Sequence, residues 1–133
     1  MARRQIAWAL FFAGLMLAAP WAVKQLIAAG VIGDPTLPKR LTMAIFGAFL
    51  AFSGNATPKM LTPLAQLRCD AGVVQTFQRF AGWTWVVTGL LYSLAWLFLP
   101  EPSAQPLSMM VLLFGTAIVA VRLVRLKWLR PAR

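Results

Sequence analysis

Four stretches of this chain, Ile6 to Val23, Leu41 to Gly54, Phe80 to Leu99 and Leu107 to Val121, contain no Asp, Glu, Lys, Arg or His. Charged residues fall between these stretches or at their edges. A hydrocarbon core about 30 Å thick needs roughly 20 helical residues at 1.5 Å each. Phe80 to Leu99 supplies that length alone, and Ile6 to Val23 reaches it by running past Lys24 to Ala29 with the ammonium snorkelling outward. The second and fourth stretches reach it by drawing in Lys39-Arg40 and Arg122 to Arg125. The pattern predicts an all-α integral membrane protein with four transmembrane helices, residues 1–133 forming one domain.

Breaks between the stretches are well marked. Gly30 to Pro38 reads as a turn-rich loop, with Thr36 and Pro38 at the entry to the second span, where proline is tolerated. Thr57-Pro58 and Thr62-Pro63 each pair an N-cap hydroxyl with a following proline, which predicts short helical turns along the membrane surface. Asp70 is a further N-cap. It precedes Val73, Val74, Phe77 and Phe80 on one face and Gln75, Gln78 and Arg79 on the other. That spacing predicts a short interfacial helix between spans two and three. Pro100 to Pro106 reads as a third loop, and Pro20 as a kink in the first span. The Ala18-Ala19 pair resembles a signal cleavage site, but Pro20 follows it, so the first span is expected to remain as an anchor.

Packing signals concentrate in span two. Ala44, Gly47, Ala48, Ala51, Gly54 and Asn55 recur at three- and four-residue spacing, and such a stripe lets backbones approach closely. Gly47, Ala51 and Gly54 are therefore the expected helix-packing positions. Ile45, Phe46, Phe49, Leu50 and Phe52 form the bulky face expected to meet lipid. Trp83 and Trp85, Trp96 and Phe98, and Trp128 mark span edges, where tryptophan anchors helices at the interface.

The net charge of +10 changes the picture only through its placement. Arg3, Arg4, Lys59, Arg68, Arg79, Arg122, Arg125, Lys127, Arg130 and Arg133 would share one side of a four-span chain. Lys24, Lys39 and Arg40 would lie on the other. The positive-inside rule then places both termini and the middle loop in the cytoplasm. Contact with anionic lipid headgroups accounts for the charge, and nucleic acid is not an expected partner.

Chemistry is limited by what is missing. The chain has no histidine, one cysteine (Cys69), and three carboxylates, Asp34, Asp70 and Glu101, in three different connections. These assemble no paired-carboxylate or metal site, so the expectation is a non-enzymatic protein with no cofactor. The best polar candidates are Asn55, Lys59, Arg68 and Arg79, a cluster able to hold a headgroup or a partner's carboxylate at the inner mouth.

Gly54-Asn55-x-x-Pro58-Lys59, then Arg68, then Gln78-Arg79-Phe80-Ala81-Gly82-Trp83 and the apolar run through Leu91 resemble the core of the SdpI family. These are small bacterial membrane proteins of toxin immunity and signalling. The likeness spans residues 52–91. The family's Pro-Trp-Thr-Leu element is replaced by Cys69-Asp70-Ala71-Gly72, and its usual histidine before the Arg-Phe-Ala-Gly-Trp stretch is Gln78. The resemblance implies a multi-pass protein of the bacterial inner membrane that binds a peptide toxin or a regulatory protein. A small homo-oligomeric transporter or channel subunit, or an assembly factor of a membrane complex, is the alternative expectation.

Overall fold

The computed structural model describes residues 2–56 and 71–128, with side chains over 6–56 and 72–126. These residues form four helices, α1 (Ala2–Ala28), α2 (Leu37–Ala56), α3 (Ala71–Phe98) and α4 (Glu101–Trp128), and no strand. Ile6–Ala28, Gly72–Phe98 and Glu101–Leu126 are long and apolar enough to cross a membrane. The shorter α2 carries Lys39 and Arg40 in its first turn and does not reach that mark by its own composition.

The turn out of α1 is built by Gly30. Its φ of 74° is left-handed, a region that costs an L side chain energy but not glycine. In that conformation the Gly30 amide donates to the Ile27 carbonyl and the Val31 amide to the Leu26 carbonyl, both at 3.0 Å. This pair of bonds closes a helix C-terminus and satisfies carbonyls that would otherwise be unpaired. At the entry to α2, the Asp34 carboxylate accepts from the Thr36 amide at 2.8 Å and the Thr36 hydroxyl at 2.7 Å. The Thr36 carbonyl then accepts from the Arg40 amide at 3.1 Å, with Pro38 as the second helical residue.

Two expected boundaries are corrected. Pro100 to Pro106 is not a loop: α4 begins at Glu101, and the Pro100 carbonyl accepts from the amides of Ser103 and Ala104 at 3.0 and 2.9 Å. Pro102 is tolerated there because first-turn amides have no intrahelical acceptor. Nor is there a separate interfacial helix over Val73 to Phe80, because those residues are the opening turns of a continuous 28-residue α3. The two Thr-Pro pairs and Asp70 lie outside the described residues. Despite Pro20, α1 is helical through to Ala28.

Packing follows chain order: α1 lies on α2, α2 on α3 and α3 on α4, with the α2–α3 seam the most extensive. The contacts fix an antiparallel arrangement. Trp8 near the start of α1 meets Phe52 near the end of α2, and Arg40 at the start of α2 reaches the last turn of α3. Arg122 late in α4 covers Phe80 early in α3. Both ends of the described chain therefore sit at one end of the assembly, together with the end of α2 and the start of α3.

The seam is tight because it lacks side chains. A Cβ on Gly54 would lie 2.7 Å from the Gly82 carbonyl oxygen and 2.8 Å from the Trp85 Cβ. One on Gly47 would lie 2.7 Å from the Ser93 amide nitrogen and 2.8 Å from the Gly89 carbonyl oxygen. Across α3 the same device recurs once, where Gly115 of α4 accommodates the Thr88 side chain. The apolar core, Ala44, Tyr92, Trp96 and Ala104 with Met43, Leu99 and Leu112 against it, lies toward the opposite end from the termini.

The bulky α2 face does not simply meet lipid. Phe12 of α1 packs edge-on or tilted against Phe49 and Phe52 at 5.4 Å each, Trp8 lies tilted against Phe52 at 5.1 Å, and Phe46 meets Tyr92 at 5.7 Å. Aromatic edges and faces attract beyond simple area burial, so α1 covers part of the face that composition alone assigns to the bilayer.

Candidate functional site

A groove opens between α2 and α3 at the end that the termini share. It has a volume of about 240 Å3 and is lined by Ala51, Phe52, Gly54, Asn55, Gly82, Trp83 and Val86. Within this lining Gly54 of α2 lies close against the Gly82 backbone of α3. Phe52 and Trp83 supply aromatic walls, Trp83 being 69% exposed, and the amide of exposed Asn55 supplies a donor and an acceptor. None of the described lining residues is an acid, a base or a thiol. The groove's volume suits one or two side chains of a partner better than a drug-sized ligand.

Among the residues expected to bind a partner, Asn55 lines this groove. Arg79 is exposed, three and four residues before Gly82 and Trp83, a spacing that puts it on the same helix face. Lys59 and Arg68 lie outside the described residues. Of the packing positions, Gly47 and Gly54 are buried and Ala51 half-buried at the α2–α3 seam, where Ala51 also meets Gly89. Trp83 is exposed and Trp85 is half-buried, with its Cβ against Gly54. Trp128 ends α4, and its side chain is outside the described set.

The opposite end carries polar contacts that composition does not disclose. Arg40 donates from Nε to the Trp96 carbonyl at 3.1 Å and from Nη2 to the Leu97 carbonyl at 2.7 Å. It thereby caps α3 with a cation where the helix dipole is negative. Its Nη1 lies 3.8 Å from the Asp34 carboxylate. The two Thr36 hydrogen bonds, with a smaller contribution from Arg40, hold the Asp34 carboxyl below the ordinary aspartate range. Lys39 pairs with Glu101 and stands 5.8 Å from the Trp96 ring centre. Trp96 is not an exposed edge anchor: it is 2% exposed, in the core beneath Lys39. Only the proximity in sequence of Asp34, Lys39 and Arg40 hinted at this cluster.

Among the described residues, no group of His, Cys, Asp and Glu could hold a metal ion. Searches of protein-family models, curated proteins and solved structures found no match to this chain.

Proposed function

We propose that the chain is a four-span inner-membrane protein with both termini cytoplasmic. In this reading it binds a peptide toxin or a regulatory protein partner in the α2–α3 groove, without catalysis, in the manner of the SdpI-type proteins that residues 52–91 resemble. One observation carries this: the two halves of that stretch, Gly54-Asn55 and Gly82-Trp83, come from different helices yet line one groove. Asn55 and Trp83 make the direct contact, while exposed Arg79 supplies a cation for acidic groups of the partner. α2 counts as the fourth span because its two cations are engaged by Asp34, Glu101 and the α3 carbonyls. Its glycines also fix it along α3. A helix of modest hydropathy is carried into a bilayer when its polar groups find partners there.

The test is membrane depolarisation in a toxin-sensitive host, read with a cationic dye, using supernatants of producer strains. Wild type is expected to protect, and Trp83→Ala and Asn55→Leu to lose protection at equal membrane abundance. Full protection by both variants would overturn the groove as the binding site, and absence of protection by wild type would remove the immunity reading.

A further inference from the structure

We propose that the α3–α4 seam at the terminus-bearing end binds one anionic phospholipid, with its phosphate between Arg122 and Arg125 and an acyl chain along α4. The site is separate from the groove and does not depend on what the groove binds. Three observations place it.

First, the arginine pair is organised. The Arg122 guanidinium lies over the Phe80 ring, 4.5 Å from its centre, a cation–π contact that restrains the side chain against α3. Arg125 follows by three residues, so the two guanidinium groups share one helix face, and both are exposed. Arginine forks match phosphate oxygens in planar, paired hydrogen bonds.

Second, no described carboxylate stands at this end. The described carboxylates, Asp34 and Glu101, are at the other end, engaged with Arg40 and Lys39. No described carboxylate therefore neutralises Arg122 or Arg125. A guanidinium stacked on an aromatic face keeps its edge donors available for an anion.

Third, the surface leading to the pair has the shape of a lipid tail. Phe114, Ile118, Val121 and Arg125 follow one another at spacings of four, three and four, which is one stripe of a helix. The three apolar members are 70%, 47% and 53% exposed. The stripe runs for roughly 16 Å at 1.5 Å per residue and ends in a guanidinium. This combination fits a phosphate with an attached acyl chain and fits free phosphate poorly, because inorganic phosphate has no use for the stripe.

The experiment is native mass spectrometry of the full chain in mild detergent, titrated with phosphatidylglycerol, phosphatidylcholine or inorganic phosphate. One phosphatidylglycerol is expected to be retained in preference to phosphatidylcholine, and inorganic phosphate is expected not to displace it. Arg122→Gln with Arg125→Gln should weaken retention about 30-fold, as two cations each favouring an anionic lipid would predict. Phe80→Leu, which keeps every charge, should weaken it by a smaller factor. Lys24→Gln, which removes a cation from α1, should leave it unchanged. Circular dichroism and thermal melts of each variant separate lost binding from lost fold. Equal retention of both lipids, or retention unaffected by the double substitution in a folded protein, would overturn the site. Displacement by inorganic phosphate would reduce it to an anion site with no lipid role.

Discussion

The Ser93 hydroxyl donates to the backbone carbonyl of Ala44 at 2.8 Å inside the α2–α3 seam, where both residues are buried. This bond joins two helices at the point where Gly47 admits the α3 backbone, so one short stretch combines close packing with an interhelical hydrogen bond. In lipid, where apolar burial does little to drive helix association, those two terms decide whether helices stay together.

Substitution should separate the two terms. Ser93→Ala is expected to cost about 0.6 kcal/mol, the usual worth of one interhelical bond in a bilayer. Gly47→Val forces atoms into the Ser93 and Gly89 backbone and should cost about 1–3 kcal/mol. Unfolding in detergent–denaturant mixtures checks the order. A larger loss for Ser93→Ala would show that the hydrogen bond dominates instead of the fit.

Arg40 closes the other end of the same seam. Arg40→Gln removes charged donors to two carbonyls at the end of α3 and should destabilise by roughly 2 kcal/mol, in the range for hydrogen bonds to charged groups. The exposed Lys39–Glu101 pair should be worth under about 1 kcal/mol, since solvent weakens such pairs. A double-mutant cycle against Asp34→Asn would show whether Arg40 acts through the carbonyls or through the carboxylate.

Asp34 gives a pH dependence of known sign. Its carboxyl is held below the ordinary aspartate range by the Thr36 hydrogen bonds first and by Arg40 to a lesser degree. A depressed folded-state pKa means the unfolded chain binds the proton more readily, so the contribution is present above the ordinary aspartate pKa. It is lost as pH falls through the folded value. Melting temperatures followed downward from pH 6 should fall more for wild type than for Asp34→Asn, with the difference confined to the acid end.

The docking of α1 rests on a few rings. Phe12→Ala removes the contacts to Phe49 and Phe52, each aromatic pair being worth about 0.5–1.5 kcal/mol. Disulfide cross-linking between cysteines placed at positions 8 and 52, in a Cys69→Ser background, is expected to fall in that variant while α2–α3 cross-links persist.

Much of the helical layout could be read from the uncharged runs, because charged side chains are costly in lipid and gather toward helix ends. The start of α4 could not. Pro102 and Pro106 look like punctuation in sequence, yet Pro102 removes only a first-turn donor that had no acceptor, and α4 runs on through Pro106. Lys39 and Arg40 read only as cations that extend the second span, whereas they meet Glu101, Asp34 and the end of α3. Those partners are up to 62 residues distant, and no local pattern encodes such a pairing. The groove was half legible: Asn55 stood out as an amide at a helix end. Its juxtaposition with Gly82 and Trp83 depends on the register that the glycines set between α2 and α3.

The central claim is that α2 crosses the membrane, which, with the termini proposed to face the cytoplasm, would put the groove on that side as well. Single cysteines at Gly33 and at Gly72, each in a Cys69→Ser background, test it with a membrane-impermeant maleimide on intact spheroplasts. The account predicts that Gly33→Cys is labelled from outside and that Gly72→Cys is labelled only after permeabilisation. Labelling of both positions from the same side would contradict a spanning α2, and the proposed orientation of the groove would fall with it.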